Sequence, residues 1–308
     1  MRRSGLTQAL RACVAAARPL QWVKNVLVFV PLAAAHGPFD LRRLSYCLAA
    51  FIAFCLCASS VYVFNDLLDL AEDRSRPQTA LRPLASGQLK PRVAVGFLAS
   101  LLLAAMAIST LLPRAFLAAI VAYYLLMTAY SLVLKQVLLL DVLVLATGYS
   151  LRLAAGAWVA DVRVSPWLMA LCGSLFMSLA LLKRYAELMA MRAPAASGPT
   201  AAPGPLPTAH VRGYLIADAP IVAAQGIASS HVSVLVLALY NSTANAQRLY
   251  AHPGFLWLLC VLLLYWINYL WLMARRGRVP HDPIHFALRD RTSQLLVGVM
   301  LITALLSV

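Results

Sequence analysis

The sequence predicts an all-α integral membrane protein with about nine transmembrane helices, in a single polytopic domain over residues 1–308. The first observation is composition: the chain is 62% hydrophobic and only 12% charged, whereas soluble domains carry about 25% charged residues. The second is a mean hydropathy of +0.78, with apolar runs that recur from end to end. The lipid bilayer is the solvent that suits such a chain.

Nine apolar runs are long enough, or nearly so, to cross the hydrocarbon, which takes about 20 helical residues. They cover residues 20–35, 44–64, 93–112, 115–134, 137–160, 165–182, 219–240, 255–274 and 293–308. Residues 193–209 are rich in Pro, Ala and Gly and are predicted to form a flexible loop. Residues 281–291 are predicted to form a short interfacial helix that closes over the cytoplasmic mouth.

The distribution of basic residues is the third observation, and it predicts the orientation. One set of loops comprises the N-terminus, residues 65–92, the region around 135, residues 183–218 and residues 275–292; it carries 20 of the 26 Lys and Arg residues, and the opposite loops carry five. We therefore expect a multi-pass protein of the cell membrane with a cytoplasmic N-terminus and the C-terminus on the opposite side. In such a protein the net charge of +15 indicates anionic headgroups or phosphate substrates rather than nucleic acid.

The strongest chemical motif lies at the cytoplasmic end of the second predicted span, in residues 65–73 (Asn-Asp-Leu-Leu-Asp-Leu-Ala-Glu-Asp). On a helix, Asp66, Asp69 and Asp73 fall on one face, where three carboxylates repel one another unless a cation lies between them. Oxygen ligands of this kind favour Mg²⁺, which is often shared with substrate phosphates. These three residues are therefore predicted to be metal ligands and catalytic residues; the alternative is a solvated acidic helix end.

Polar and cationic residues accompany the acidic motif on the same side of the membrane. Arg74 and Arg82 follow it, and residues 82–88 form a predicted ordered turn that contains proline and glycine. Lys24 and Asn25 open the first span, and Asn65 begins the motif itself. We predict that all five bind substrate, since a guanidinium fits phosphate bidentately. The alternatives are ordinary loop charge and, for Lys24, a side chain that snorkels to the interface.

Two ionisable residues, Asp141 and Arg152, interrupt the fifth predicted span and share one helical face. An arginine near mid-bilayer costs about 2.5–3.5 kcal/mol on insertion scales, so it should face an internal cavity or a partner. A structural ion pair between helices is the alternative for Arg152. Asp141 lies six residues after Lys135, and both are predicted to line the substrate site.

The sixth predicted span ends in Lys183-Arg184-Tyr185-Ala186-Glu187. This segment is predicted to form a second patch that binds phosphate, through Lys183, Arg184 and Glu187. The alternative is a surface salt bridge between Lys183 and Glu187, which are i, i+4 neighbours.

The pattern Asn-Asp-x-x-Asp-x-x-x-Asp after a second transmembrane helix resembles the UbiA superfamily of intramembrane prenyltransferases. The resemblance implies nine helices around a lateral cavity, with an active site at the cytoplasmic mouth. A second acidic motif, usually Asp-x-x-x-Asp, follows helix six in that superfamily, where this chain has Lys183-Arg184-x-x-Glu187.

Other motifs resemble one branch of the superfamily, the decaprenyl-phosphate phosphoribosyltransferases. They occupy residues 21–25, 82–87, 130–135 with Asp141, 148–152, 165–167, 183–188 and 281–291. The resemblance implies Mg²⁺-dependent transfer of 5-phosphoribose from phosphoribosyl diphosphate to a polyprenyl phosphate. It further implies that the three Asp side chains hold the diphosphate through Mg²⁺ and that cationic residues hold phosphate groups: Arg82, Lys135, Lys183 and Arg184.

Two other functions remain open at this stage. An aromatic prenyltransferase of the same superfamily would use a polyprenyl diphosphate donor, and a second Asp-x-x-x-Asp motif would favour it. A transporter without chemistry would be expected to show repeats and broken mid-membrane helices. The acidic residues gather instead at one membrane face, which favours an enzyme. Arg76 and the 193–209 loop depart from the phosphoribosyltransferase pattern.

Overall fold

The computed structural model describes residues 2–35, 40–75, 79–195, 210–279 and 282–308, and these are almost entirely helical. The chain forms two compact units. The first comprises Met1–Leu134 and Leu151–Val164, and the second comprises Lys135–Ser150 and Ser165–Val308. The prediction of a single polytopic domain stays a prediction.

The first unit is built around its longest helix. In chain order its elements are α1 (Arg2–Ala17), a 3₁₀ helix (Pro19–Phe29), α2 (Val30–Ala34), α3 (Leu41–Leu68), α4 (Leu70–Ser75), α5 (Pro91–Thr110), α6 (Arg114–Leu132) and the C-terminal part of α7 (Leu140–Val159). The carboxylate of Asp40 caps α3 by accepting from the Arg42 and Arg43 amides. Helix α3 packs against α1, the 3₁₀ helix, α5 and α6, and its buried Phe54 meets Phe116 and Tyr123 edge-on, with ring centroids 5.6 and 5.4 Å away.

The first predicted span differs from expectation because most of it is a 3₁₀ helix rather than an α-helix. The 3₁₀ helix rises about 2.0 Å per residue against about 1.5 Å for an α-helix. A short apolar run therefore extends further than its residue count suggests.

The second unit contains the N-terminal part of α7 and the remaining helices. The elements after α7 are α8 (Pro166–Ala195), β1 (His210–Val211), β2 (Tyr214–Leu215), a 3₁₀ turn (Ile216–Asp218), α9 (Ala219–Asn241), α10 (Ala244–Leu249), α11 (Gly254–Arg275), α12 (Pro283–Arg289) and α13 (Arg291–Ser307). The strands pair antiparallel, with His210 opposite Leu215. Helix α9 packs between α8 and α11, and α11 packs on α13.

The connections partly match the expectations. Helix α8 continues through Ala195, so the prediction of a loop from residue 193 was wrong at its start; residues 196–209 lie outside the described part. The predicted helix within 281–291 is confirmed as α12, whose first turn is capped by the Asp282 carboxylate. Its position over a cytoplasmic mouth stays a prediction.

Among the described residues, seven helices are long and apolar enough to cross a membrane: α3, α5, α6, α7, α8 (as Pro166–Met191), α9 with its preceding turn (Ile216–Asn241) and α11. Two shorter apolar segments, Pro19–Ala34 and Arg291–Ser307, coincide with the first and last predicted spans. The all-α, multi-pass membrane architecture is therefore confirmed, and the exact count of nine spans stays a prediction.

Candidate functional site

The acidic motif follows an almost continuous helical path from α3 into α4. The Asp69 amide donates to the Asn65 carbonyl at 2.9 Å, and the Asp73 amide donates to the Asp69 carbonyl at 2.8 Å. Asp66 is 1% exposed and Asp73 is 6% exposed. Two carboxylates of the motif are therefore buried, Asp66 near the end of α3 and Asp73 on α4.

Arg82 joins two of these carboxylates. One terminal guanidinium nitrogen donates to Asp66 Oδ1 at 3.2 Å and to Asp73 Oδ2 at 2.6 Å. The turn that carries Arg82 is anchored by Leu84 and Leu89, each 1% exposed. The ordered turn predicted here is confirmed by its backbone hydrogen bonds, including one from the Leu89 amide to the Pro83 carbonyl at 2.8 Å.

Arg18 is a second cation at the motif, and the sequence reasoning missed it. Its guanidinium donates to Asp66 Oδ1 at 2.5 Å and lies 5.3 Å from the centroid of the Tyr62 ring. Arg18 has a positive φ of 52° at the junction of α1 and the 3₁₀ helix. The one available signal was its place directly before Pro19, at the start of a span on the same side as the acidic motif.

The remaining residues around the motif make local contacts. The Asn65 amide donates to Asp69 Oδ2 at 2.8 Å, and Arg74 Nε donates to the Ala85 carbonyl at 3.3 Å. Lys24 is half-buried on the 3₁₀ helix. Arg74 therefore ties α4 to the Arg82 turn.

The carboxylates of the acidic motif suit a hard cation. The Oδ2 atom of Asp66 is buried and has no hydrogen-bond partner in the described structure, and carboxylate oxygens are the ligands that Mg²⁺ prefers. In the part of the chain that is described, however, no three His, Cys, Asp or Glu side chains converge as a metal-binding group. The positive charge between Asp66 and Asp73 is here supplied by arginine.

Arg152 is 5% exposed and faces the interior of the first unit, as expected for a charge within a membrane-spanning helix. Its guanidinium donates to neutral acceptors that include Asn25 Oδ1 at 2.6 Å and the Tyr123 hydroxyl at 2.7 Å. The Tyr123 ring centroid lies 4.5 Å from the guanidinium carbon. Asn25 also donates to the Cys55 sulfur at 3.2 Å, so it joins Arg152 to α3.

The second unit contains a separate buried network on α7, α8 and the hairpin. Arg184 is fully buried, and its guanidinium donates to Asp141 Oδ2 and to Glu187 Oε2. Tyr214, which the sequence reasoning also missed, donates from its hydroxyl to Asp141 Oδ1 at 2.8 Å. Lys183 and Lys135 are half-buried.

The predicted substrate contacts of this network therefore differ in accessibility. Arg184 is enclosed by protein carboxylates, whereas Lys183 retains partial exposure. Glu187 forms an i, i+3 ion pair with Arg184. The geometry describes an internal charge cluster, and the substrate-binding roles of these residues stay predictions.

Three relatives show how similar chains are named. The chain is 35% identical over 287 residues to an uncharacterized protein, y4nM, of Sinorhizobium fredii, covering 92% of this chain and 53% of the relative. It is 31% identical to the nodulation protein NoeC of Azorhizobium caulinodans, covering 92% and 88%. It is 35% identical over 181 residues to the decaprenyl-phosphate phosphoribosyltransferase of Mycolicibacterium smegmatis, covering 57% and 56%. The chain thus spans about half the length of the first and third of these relatives.

A solved structure has a similar fold. A UbiA homolog from Archaeoglobus fulgidus, solved bound to DMAPP and Mg²⁺, superposes with a TM-score of 0.66 at 13% identity, covering 95% of this chain and 98% of that one. Residues 26–288 match the family described as the UbiA prenyltransferase family. The chain is therefore a multi-pass membrane protein that belongs to the UbiA prenyltransferase family.

Proposed function

We propose that this protein transfers 5-phosphoribose from phosphoribosyl diphosphate to a polyprenyl phosphate of the decaprenyl type and releases diphosphate. It would act in the cell membrane, with its N-terminus in the cytoplasm. Relatives named decaprenyl-phosphate phosphoribosyltransferase, which match 57% of the chain, support this proposal.

The choice of a phosphoribosyl donor rests on the burial of Arg184 and on its ion pairs. A second acidic motif, as in the aromatic prenyltransferases, needs carboxylates open to a metal. Here the carboxylates nearest that position, Asp141 and Glu187, both accept from one buried guanidinium. Arg184 is fully buried, so it cannot move aside for a metal as the partly exposed Arg18 and Arg82 at the first motif can. Asp141 and Glu187 are therefore poor ligands for a second metal, which favours a phosphoribosyl donor over a prenyl diphosphate.

At the acidic motif, Asp66, Asp69 and Asp73 would hold Mg²⁺, which when bound offsets negative charge on the departing diphosphate. Arg82 lies against two of these carboxylates, and its guanidinium would bind phosphate oxygens of the donor. We assign Lys183 and Lys135 to phosphate groups of the substrates, because they are partly exposed cations. The acceptor phosphate is already anionic and attacks ribose C1 without a general base.

The test supplies membranes containing the protein with labelled phosphoribosyl diphosphate and polyprenyl phosphate, and follows label into extracted lipid. We expect labelled lipid with the wild type. We expect Lys183→Ala to raise the donor KM, because a ribose 5-phosphate needs a counter-charge. The matched control is Arg248→Ala, which removes a charge from the exposed surface of α10.

A parallel reaction with polyprenyl diphosphate and 4-hydroxybenzoate tests the competing aromatic prenyltransferase. Product from that pair, with no label transferred from phosphoribosyl diphosphate, would contradict the proposed donor.

A further inference from the structure

Two arginines cover the buried carboxylate of Asp66. Arg18 donates to its Oδ1 atom at 2.5 Å and Arg82 donates to the same atom at 3.2 Å. The Asp66 side chain is 1% exposed, whereas the side chains of Arg18 and Arg82 are 30% and 32% exposed. The guanidinium groups therefore lie between this carboxylate and solvent.

Charge balance shows what this arrangement can do. Asp66 and Asp73 carry two negative charges, and Arg18 and Arg82 carry two positive charges, the same as one Mg²⁺. A divalent cation added to the intact cluster would meet two like charges at short range. Guanidinium also binds phosphate oxygens bidentately, so the arginines have an alternative partner in a diphosphate.

We propose that Arg18 and Arg82 are exchangeable counter-cations for the acidic motif. They neutralise Asp66 and Asp73 in the empty protein, and they move onto the diphosphate of the incoming substrate when a divalent cation takes the carboxylates. This inference rests on the metal site of the proposed function. It makes cation binding and diphosphate binding depend on each other.

The surroundings of both arginines permit such a movement. Arg18 already lies over the Tyr62 ring, a cation–π contact that can hold the guanidinium when it leaves Asp66. Arg82 projects from a turn whose Leu84 and Leu89 are buried, so its long side chain can move while its backbone stays in place. The second oxygen of Asp66, buried without a hydrogen bond in the described structure, is a ready ligand atom.

The test measures Mn²⁺ binding to the purified full chain in detergent by electron paramagnetic resonance, with and without inorganic diphosphate. Without diphosphate, we expect Arg18→Gln and Arg82→Gln each to bind Mn²⁺ about fivefold more tightly than wild type, the scale of a partly exposed ion pair. With diphosphate, we expect both variants to bind the Mn²⁺–diphosphate pair more weakly. Arg92→Gln removes one charge from the exposed face of α5 and should change neither affinity.

The two halves of this experiment distinguish exchange from a structural role. Variants that lose Mn²⁺ affinity in both conditions, or in neither, would overturn the proposal. A misfolded variant would bind Mn²⁺ more weakly in both conditions, and an arginine far from the metal would affect neither. Arg18→Lys and Arg82→Lys retain the charge and should bind free Mn²⁺ as weakly as wild type. Mn²⁺ binding that survives Asp66→Asn would instead refute the metal site itself. Inorganic diphosphate is the only phosphate ligand used, so the result does not depend on the phosphoribosyl donor.

Discussion

Tyr214 donates a hydrogen bond to Asp141 across 2.8 Å, and the Leu139 amide donates to the same phenol oxygen at 3.1 Å. These contacts tie the hairpin to the start of α7. Between the strands, Gly213 has a φ of +83°, and a Cβ there would lie 2.8 Å from the Gln136 carbonyl oxygen. Burial raises the pKa of Tyr214 well above its usual range, and the bond to Asp141 raises it further. The phenol therefore keeps its proton at neutral pH and remains a donor.

Replacing Tyr214 by Phe should lower the free energy of unfolding by about 1–2 kcal/mol, because a buried carboxylate and an amide each lose a partner. Thermal unfolding of the purified protein in detergent measures this. The matched control is Tyr265→Phe: Tyr265 is 57% exposed, so this substitution should leave the melting temperature unchanged. Identical melting of the Tyr214 variant and the wild type would show that the hairpin contact contributes nothing.

Replacing Arg184 by Leu should destabilise the protein by about 3–5 kcal/mol, since Asp141 would be left buried without its cation. Arg248→Leu, on an exposed surface, is the matched control and should be nearly neutral. Expression level and unfolding midpoint report the effect. A stable Arg184 variant whose defect is confined to donor KM would instead support the phosphate-binding role predicted from the sequence.

Replacing Gly156 by Ala should destabilise the first unit, because the added Cβ would lie 2.2 Å from the Val28 carbonyl oxygen, and a backbone atom cannot move aside easily. Gly96 is the matched control: it is also helical, and a Cβ there meets nothing within 4 Å. Gly96→Ala should be neutral or stabilise by up to about 1 kcal/mol, given the helix propensities. Equal melting temperatures for the two variants would contradict the close approach of α7 to the 3₁₀ helix.

Removal of the metal should abolish turnover in the phosphoribosyl transfer assay. We expect EDTA to stop label transfer and added Mg²⁺ to restore it, and we expect Asp66→Ala and Asp69→Ala to be inactive under all conditions. The exposed acidic residue Glu72 provides the comparison, since Glu72→Ala leaves the three aspartates in place. Full activity in EDTA would refute the Mg²⁺ assignment.

The helices and the acidic motif could be predicted from local sequence. In lipid, the backbone amides and carbonyls of an apolar run must hydrogen-bond to one another, as they do in a helix. Hydropathy alone therefore locates most of the spans. Asp66 and Asp73 could be paired in advance because helical spacing is regular. Arg82 could be associated with them because it follows only nine residues after Asp73.

Arg18 and Tyr214 could not be predicted in the same way. Arg18 contacts a carboxylate 48 positions away and Tyr214 contacts one 73 positions away. A local sequence pattern cannot indicate a contact between residues so far apart along the chain. Arg184 was predicted from the sequence to bind phosphate. Its burial between Asp141 and Glu187 could not be predicted, because it depends on how α7, α8 and the hairpin pack within the second unit.

The sequence by itself determined that this chain inhabits a membrane, where most of its spans lie, and which acids gather near the end of α3. It did so because hydropathy and helical periodicity act over a few residues. Only the tertiary structure decided which cation neutralises each acid. A guanidinium pairs with whichever carboxylate the packing brings within about 3 Å, and that distance is a property of the folded chain.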